Sequence, residues 1–403
     1  MSAVELGRVA VGELLARHEL DPARLDEVIL GNCAQPAEAA NVARVTALRA
    51  GVPAGVPGLT VHRNCASGME SVALAAERIQ LGRARLVLAG GVESMSQFPL
   101  SYPPEFRDWL ESVTQAKSPL ARLRAGLRFR PALLAPRSAL ADALHDPACG
   151  LGMGETAELL AREFDLRRER QDEFALLSHQ RAVAARERLR QEIVPVFPPP
   201  ACEMVPDDLG PREGQTLEQL ARLRPYFDRR NGTVTVGNAC PITDGAVALL
   251  VGSEKAARDW PVPPLGRVRA WAVAGLDPRR MGLGPVHAMA RVLDRAGLSL
   301  EEVELFEINE AFAVQVLACL EAAKSGTFAR AELGRDRALG EIPLERLNVN
   351  GGAIALGHPV GASGARLLLT LLFEMRRRGA KRGLAALCVG GGQGAAFVLE
   401  RDA

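Results

Sequence analysis

The sequence predicts a layered α/β protein made of two copies of one unit, and three observations support this prediction. Strand-like and helix-like segments alternate along the chain. The order of these segments in the C-terminal half recurs in the N-terminal half. The composition is aliphatic and rich in glycine, with 48% apolar residues, 39 glycines and 2 tyrosines among 403 residues, as is typical of globular α/β proteins. A chain of this length is expected to form two or three domains.

The C-terminal half shows the repeated unit in full. Apolar periodicity and turn residues predict its elements in the following order. They are a strand at 268–275, a helix at 285–297, a strand at 303–308, a helix at 311–323, a turn-rich segment opening with 347–352, a helix at 364–379, and strands at 384–392 and 394–400. This order defines one layered α/β half.

The N-terminal half follows the same order from its first helix onward. Its predicted elements are a helix at 4–20, a strand at 25–32, a helix at 41–51, a strand at 59–64, a helix from Ser67, a strand at 85–91 and a last strand at 245–253. Recurrence of one unit indicates a duplicated fold. The last two strands adjoin in the second copy but lie about 150 residues apart in the first, so a large segment is inserted there.

The inserted segment, residues 98–231, is expected to fold as a lid domain, because a structureless loop of such length would be exceptional. It contains a basic stretch punctuated by prolines and a long helical region from Gly154 to about Gln191. The predicted domains are the first part of the N-terminal half at 1–97, the lid at 98–231, the last strand of that half at 232–258, and the C-terminal half at 259–403.

One element of the unit has no counterpart in the N-terminal half. The second copy opens with a strand about ten residues before its first helix, whereas the first copy begins directly at that helix. In a doubly wound sheet the first strand is usually central, so its loss is expected to leave a slot with unpaired backbone groups on both sides. We therefore expect a destabilised N-terminal half and a start of translation upstream of Met1.

Charge and cysteine content exclude several classes of protein. The net charge of +1 provides no basic field for nucleic acid. The seven cysteines form no C-x-x-C pair, and the N-terminus lacks the pattern of a signal peptide, so we expect a reduced, cytoplasmic protein without a metal site. Apolar runs fall short of the roughly 18 to 20 residues that a membrane span needs.

Two segments place reactive side chains where strands give way to loops or helices, the usual place for ligands in open α/β sheets. In RNCASG the helix start is expected to lower the pKa of Cys65 and make its thiol more nucleophilic. In GGAIALGHPVGASGAR the glycines permit a ligand to approach His358 closely. A buried cysteine and a loop histidine are also ordinary structural features, so neither segment decides the chemistry alone.

Two further segments occupy similar places. CVGGGQG puts Cys388 at a strand end before glycines whose N–H groups can face an oxyanion. INEAFA puts Asn309 between a strand and a helix, where asparagine is also a good N-cap. The two copies thus supply cysteines at matching places, with a histidine and an amide available. This set predicts an acyl transfer in which one thiolate carries the acyl group and the other moves a proton.

In this order the four segments resemble the thiolase family of acetyl-CoA acetyltransferases and 3-ketoacyl-CoA thiolases. The resemblance covers nearly the whole chain and includes GGVESMS at 90–96, SHQRA at 178–182 and GTVTVGNACPITDGA at 232–246. It implies two βαβαβαββ halves packed as α/β/α/β/α layers, with a large inserted lid domain. The family's usual R-T-P segment near the start is missing here, together with the first strand.

The resemblance also implies roles for individual residues. Cys65 would be the nucleophile that is acylated, and His358 the base that activates it. Cys388 would remove a proton from the α-carbon of acetyl-CoA in condensation or return it in thiolysis. One oxyanion site would use His358 and a water held by Asn309, and the other the backbone N–H groups of Cys65 and Gly390.

Coenzyme A, acetyl-CoA and 3-ketoacyl-CoA are implied as substrates, with no separate cofactor. The positions that match the family's coenzyme A contacts are Met153, Arg212, Phe227, Cys240 and Phe312. Arg212 suits a phosphate or the adenine face, although a solvated surface arginine is the plain alternative. Cys240 stands where many relatives have serine. The resemblance further implies a homodimer or homotetramer.

The basic stretch from Lys117 to Arg137 resembles the thiolase subunit of β-oxidation trifunctional complexes, where this region lies near a membrane or a partner subunit. An amphipathic basic segment can lie on anionic lipid. It can equally form a lid helix whose apolar face covers the active site. That group often has histidine where INEAFA has Asn309, so the length of the acyl chain stays open.

Two other functions fit the same scaffold. A ketoacyl synthase shares the architecture and a nucleophilic cysteine, but typically presents two histidines, or histidine and asparagine, and does not need Cys388 as a base. A non-catalytic acyl-CoA or sterol carrier, or an inactive partner subunit, would explain a missing strand. The presence of Cys65, Asn309, His358 and Cys388 favours a thiolase instead.

Overall fold

The strands of the protein form two main sheets and two small ribbons. The computed structural model describes residues 1–260 and 262–401. Its strands are β1 (Glu27–Gly31), β2 (Gly58–Val61), β3 (Leu86–Ser94), β4 (Leu100–Ser101), β5 (Arg137–Ser138), β6 (His145–Asp146), β7 (Leu151–Gly152), β8 (Asp244–Gly252), β9 (Arg267–Gly275), β10 (Leu305–Ile308), β11 (Arg382–Val389) and β12 (Gln393–Glu400).

The helices lie between and around these strands. They are α1 (Ala3–Arg17), α2 (Val42–Arg49), α3 (Ser67–Gln80), α4 (Pro104–Thr114), α5 (Pro119–Gly126), α6 (Ala139–Ala143), α7 (Met153–Glu163), α8 (Arg168–Leu189), α9 (Leu217–Ala221), α10 (Glu254–Arg258), α11 (Gly284–Ala296), α12 (Ala313–Ala323), α13 (Gly326–Phe328), α14 (Ala353–Leu356) and α15 (Val360–Arg378). Short turns of 3-10 helix cover Pro22–Arg24, Met95–Gln97, Pro131–Leu134, Pro278–Leu283, Leu300–Glu302 and Leu344–Arg346.

The two main sheets repeat one topology, which confirms the predicted duplication. The N-terminal sheet has the order β2-β1-β3-β8, with β1 parallel to β2 and β3, and β8 antiparallel to β3. The C-terminal sheet has the order β10-β11-β12-β9, with β10 parallel to β11, and β12 antiparallel to both neighbours. A parallel bridge from Leu347 to Phe306 takes the place that β2 has in the first copy.

Helices α3 and α15 lie between the two sheets and pack against each other. Their shared core includes Ile29, Met69, Leu367, Leu387 and Phe397, which come from both sheets and both helices. Burial of such side chains contributes roughly 1.5 to 3 kcal/mol each. Helices α1 and α2 cover the outer face of the N-terminal sheet, and α11 and α12 that of the C-terminal sheet. The layers are therefore α/β/α/β/α, as the family resemblance implies.

The crossing of α3 and α15 depends on two glycines. A Cβ atom at Gly68 would lie 2.7 Å from the backbone nitrogen of Ala365, and one at Gly364 would lie 2.6 Å from that of Met69. Any larger residue would force the helices apart. This close approach brings the starts of both helices, and the residues that precede them, to one place between the halves.

The strand missing from the N-terminal half belongs at a different place in the sheet from the central one predicted above. Among residues 1–260 and 262–401, β9, the strand that opens the second copy, pairs only with β12 and lies at the edge of its sheet. By symmetry the missing counterpart belongs beside β8, at the sheet edge. The prediction of a central slot with unpaired groups on both sides was wrong, because this fold places its antiparallel strand between the first strand and the rest. Within the described residues, β8 pairs with β3 alone.

The inserted segment is largely helical, and large apolar side chains of its basic stretch are exposed. Helices α7 and α8 replace the single predicted helical region, and Asp165, with φ of 47°, lies in the turn between them. Helix α5 carries Leu120 and Leu123, with Leu127 just after it, and these side chains are 58%, 61% and 77% exposed.

Candidate active site

Cys65 lies in a tight turn between β2 and α3. The turn is closed by backbone hydrogen bonds from Ala66 to the Arg63 carbonyl at 2.9 Å and from Ser67 to the Asn64 carbonyl at 3.0 Å. The hydroxyl of Ser67 also donates to the Asn64 carbonyl at 2.7 Å. Cys65 is half-buried. The fold thus holds its thiol at the start of α3, where the sequence predicted it.

The pKa of Cys65 is raised, so the expectation of a lowered value was wrong. Burial, which disfavours the thiolate, is the largest cause. The backbone N–H groups of Gly390 and of Cys65 itself oppose this effect, while the carboxyl of Glu93 adds to it. The thiol therefore needs a base to ionise it. The same N–H pair can hold negative charge on an atom bonded to the sulfur.

Cys388 is buried near the end of β11. Its pKa is raised well above the ordinary value, first by burial and then by the nearby thiols of Cys65, Cys319 and Cys240. The structure therefore brings thiols from the two halves within electrostatic reach of each other, as the sequence predicted. A second link crosses the same junction, where the Asn64 amide donates to the Gly390 carbonyl at 2.7 Å.

His358 lies between α14 and α15, and its ring orientation is fixed at both nitrogens. Nδ1 lies 2.6 Å from the Ser363 hydroxyl, which donates to the Pro359 carbonyl at 3.0 Å. The hydroxyl is thus free to accept, so Nδ1 carries the proton and Nε2 presents a lone pair. Nε2 lies 3.4 Å from the Asn309 amide nitrogen. His358 is placed to accept a proton at Nε2.

The electrostatic surroundings of His358 keep it neutral. Burial, and secondarily the positive charge of Arg366, lower its pKa from 6.5 to about 4. Asn309 is fully buried after β10, where its backbone N–H donates to the Ala386 carbonyl at 3.0 Å. The side chain of Asn309 is thereby directed to the histidine, and it does not cap α12, which begins only at Ala313.

Four of the five positions matched to coenzyme A contacts lie together beside the thiols. The rings of Phe227 and Phe312 are 5.9 Å apart, edge to face. The sulfur of Met153 lies 3.4 Å from where a Cβ atom at Gly390 would be. The backbone N–H of Cys240 donates to the Ala311 carbonyl at 3.0 Å, next to Phe312. Burial and the Cys65 thiol raise the pKa of Cys240 to about 12.

Arg212 lies in a pocket lined by Arg212, Glu213, Gly214, Gln215, Gln219 and Leu223. Its backbone N–H donates to Nδ1 of His179 at 3.3 Å. Glu213, the next residue in this pocket, forms an ion pair with Arg186. The pocket is chemically suited to a phosphate or an adenine ring.

Two polar residues of this site were not singled out from the sequence, although both lie in motifs quoted above. Ser363 orients His358, and its signal is a hydroxyl five residues after the histidine at a helix start. Asn64 joins the nucleophile turn to the glycine segment. No single-sequence pattern reveals the second link, because its partner is 326 residues away.

Fold and site together are those of a class of acyltransferases that work through a cysteine thiol and are built from two duplicated halves. Comparison with known proteins identifies the family. Residues 1–255 match the family described as the thiolase N-terminal domain, and residues 262–401 match the thiolase C-terminal domain. The chain belongs to the thiolase family and is an acyltransferase of that family.

Individual relatives agree with this assignment. An acetyl-CoA acetyltransferase of Pseudomonas aeruginosa is 45% identical over 408 aligned residues, covering 99% of this chain and 94% of the relative. A 3-ketoacyl-CoA thiolase of Yersinia pestis is 41% identical, covering 99% of this chain and 91% of the relative.

Two solved structures share the fold. The acetyl-CoA acetyltransferase of Bacillus anthracis superposes with a TM-score of 0.85 at 38% identity, covering 99% of this chain and 93% of its own. Human mitochondrial 3-ketoacyl-CoA thiolase in complex with CoA superposes with a TM-score of 0.83 at 36% identity, covering 100% and 93% respectively. Among the residues described for the present chain, helices with the length and apolarity of a membrane span do not occur.

Proposed function

We propose that the protein cleaves 3-ketoacyl-CoA with CoA, and runs the reverse Claisen condensation with acetyl-CoA, through a thioester on Cys65. The observation that carries this proposal is that Cys388 and Cys65, one thiol from each half, lie within electrostatic reach of each other, in a site whose neutral imidazole is oriented by Ser363. Acyl transfer of this kind needs a nucleophile and a separate carrier for the proton. The names of the relatives, acetyl-CoA acetyltransferase and 3-ketoacyl-CoA thiolase, support the choice of substrates.

In the first half of thiolysis His358 takes the proton of Cys65 while the sulfur attacks the C3 carbonyl of 3-ketoacyl-CoA. The bond between C2 and C3 then breaks, and its electron pair forms the enolate of acetyl-CoA. Cys388 gives its proton to C2, and acetyl-CoA leaves. The raised pKa of Cys388 supports this role, because the thiol is protonated before the step. The low pKa of His358 means that its imidazole is unprotonated before the step and can accept the proton.

In the second half the Cys388 thiolate takes the proton of CoA, and the sulfur of CoA attacks the acyl group on Cys65. The bond from the acyl carbon to Cys65 breaks, and the shortened acyl-CoA leaves. His358 returns its proton to Cys65. Both thiols and the imidazole regain their starting protonation states, so the cycle balances without a further reactant.

Two oxyanion sites accompany these steps. The N–H groups of Cys65 and Gly390 receive the oxygen of the acyl group bonded to Cys65, a role supported by their effect on the pKa of the thiol. His358 and a water held by Asn309 receive the enolate oxygen, a role supported by the distance of 3.4 Å between the two side chains. Donors fixed before the reaction stabilise such charge strongly.

The proposed path of coenzyme A follows the remaining predicted positions. Met153, Phe227, Cys240 and Phe312 border the pantetheine arm next to the thiols, and Arg212 meets a phosphate or the adenine ring. The aromatic contact between Phe227 and Phe312 supports an apolar wall for the arm. The open pocket around Arg212 supports an outer site for the nucleotide.

The proposal extends to the setting of the enzyme. By family likeness it is a cytoplasmic homodimer or homotetramer, which light scattering after size exclusion will measure. The segment from Lys117 to Arg137 is proposed to meet an anionic lipid surface. Its exposed leucines and its basic side chains, without an acid between 115 and 141, support such contact.

The direct test is cleavage of acetoacetyl-CoA and of a long-chain 3-ketoacyl-CoA by the purified protein with CoA, with products identified by mass spectrometry. Formation of acetyl-CoA is expected, and the ratio of the two rates gives the preferred chain length. A folded protein that binds acyl-CoA but cleaves neither substrate would be a carrier, and the proposed activity would be abandoned.

A further inference from the structure

The turn that carries Cys65 contains a residue in an unusual conformation. Asn64 has a φ of 43°, in the left-handed region that residues other than glycine seldom adopt. Its carbonyl accepts from the Ser67 hydroxyl at 2.7 Å and lies 3.0 Å from the Cys33 sulfur. The backbone of Asn64 is therefore fixed from within the N-terminal half.

The side chain of Asn64 is fixed from the other half. Its amide nitrogen donates to the Gly390 carbonyl at 2.7 Å. The N–H of the same glycine faces the sulfur of Cys65. The proposed oxyanion site consists of the backbone N–H groups of Cys65 and Gly390. Asn64 precedes Cys65 in the chain, and its side chain is hydrogen-bonded to Gly390, so it is connected to both donors.

The other member of the pair needs this restraint. Gly390 is followed by Gly391 and Gly392, with φ of 87° and 73°, a run without side chains to pack. The two N–H groups come from chain segments far apart in sequence, one in each half. Correct folding of each half alone therefore does not determine the distance between the two donors. An oxyanion needs both donors at about 2.7 to 3.1 Å.

We propose that Asn64 is a positioning residue that sets the separation of the Cys65 and Gly390 N–H groups and so assembles their oxyanion site across the two halves. This inference rests on the proposed thiolase activity. A misplacement of about 1 Å can cost a factor of 100 in rate. Loss of the Asn64 amide is therefore expected to lower kcat by about 10- to 100-fold, with KM changed by less than about threefold.

A purely conformational role for Asn64 makes a different prediction. Glycine adopts positive φ more readily than asparagine, so Asn64→Gly would be harmless if only the backbone mattered. Asn64→Asp keeps the size of the side chain and places an acceptor opposite the Gly390 carbonyl. Asp165→Gly is the matched control, because Asp165 also has positive φ, at 47°, but lies exposed between α7 and α8.

The experiment measures kcat and KM for cleavage of acetoacetyl-CoA, the yield of acetylated Cys65 and the melting temperature of each variant. We expect both Asn64 variants to reach the full yield of acetylated Cys65 with kcat lowered 10- to 100-fold, and Asp165→Gly to retain the wild-type kcat. If Asn64→Gly fails to fold, Asn64→Asp decides the matter. Wild-type kcat in a folded Asn64 variant would overturn the inference. An inactive wild-type protein would instead overturn the proposed function.

Discussion

The two halves of the molecule repeat one sheet but finish its edges differently. In the C-terminal half β12 lies between β11 and β9, and Gly394 to Leu399 are buried. Its counterpart β8 pairs only with β3 within the described residues, and its side chains from Asp244 to Val251 are half-exposed. Among the four candidate residues described above, the C-terminal half supplies His358, Asn309 and Cys388, and the N-terminal half, with the open sheet edge, supplies Cys65.

This difference shows where the geometry of the site is determined. The turn of Cys65 is joined to the C-terminal half by hydrogen bonds from Arg63 to Gln393 at 3.2 Å and from Asn64 to Gly390 at 2.7 Å. The buried carboxylate of Glu93 accepts from the Gly361 N–H at 2.9 Å across the same junction. The nucleophile is thus held at the interface of the halves, on the far side of the sheet from the open edge.

The largest expected effect comes from removing either thiol, and the acetylation of the two variants distinguishes the roles of the two halves. Cys65→Ala removes the nucleophile and should lower thiolysis by about 10⁴-fold or more, with no acetyl group transferred from acetyl-CoA to the protein. Cys388→Ala should lower overall turnover similarly but still form acetylated Cys65, because only the proton carrier is lost. Mass spectrometry of the intact protein measures the acetyl group. Acetylation of the Cys65→Ala variant to the wild-type yield would refute this division of roles.

The second prediction concerns hydrogen exchange in the strands at the edges of the two sheets. Amide groups of β8 that point away from β3 have no ladder partner in the described chain, so they should exchange hydrogen about 100-fold faster than those of β12. Hydrogen exchange followed by mass spectrometry of the two strands measures the ratio. The edge strand β9 is the internal control and should exchange like β8. Slow exchange throughout β8 would mean that another chain segment or subunit covers this edge in solution.

The third prediction tests the orientation of the base. Ser363→Ala removes the acceptor for Nδ1–H of His358, and kcat/KM should fall about tenfold because the ring is no longer held in one tautomer. Ser112→Ala, on the exposed face of α4, is the control and should change nothing. The measurement is the rate of acetoacetyl-CoA cleavage as a function of pH.

The sign of the pH effect follows from the lowered pKa of His358. Since this pKa is about 4 instead of 6.5, the neutral base persists as the pH falls through 6.5 and is lost only near 4. The acid limb of the wild-type profile should therefore have its midpoint nearer 4. A midpoint close to 6.5 would contradict the buried, uncharged histidine.

The sequence predicted the duplicated fold well, because the signals for its elements are local. Strand β9 and helix α11 begin within one residue of their predicted positions at 268 and 285. The predicted position of the missing strand was wrong, because hydrophobic periodicity identifies strands but does not give their order in the sheet. Which strand neighbours β12 depends on packing between distant segments, and only coordinates show that β9 does.

The residues of the site likewise fall into those that the sequence predicted and those that it did not. The motifs predicted Cys65, His358, Asn309 and Cys388 as site residues. In the structure Cys388 lies within electrostatic reach of Cys65, and the Asn309 amide lies 3.4 Å from Nε2 of His358. The net pKa shift of Cys65 was predicted with the wrong sign, because a helix start can be read in the sequence but the extent of burial cannot. Ser363 and Asn64 were missed as partners because hydrogen-bond geometry, rather than residue type, gives them their roles.

The smallest expected effect concerns the inserted domain, which exposes more large apolar side chains than either half does. The protein should bind vesicles of phosphatidylglycerol weakly and phosphatidylcholine vesicles less, since each basic residue near an anionic surface contributes about 1 kcal/mol. Replacing Arg122, Arg124 and Arg128 by glutamine should reduce cosedimentation several-fold, as should added salt. The matched control replaces three exposed arginines elsewhere, Arg83, Arg229 and Arg337. Equal binding by both triple variants would show that charge alone, and not this segment, attracts the protein to lipid.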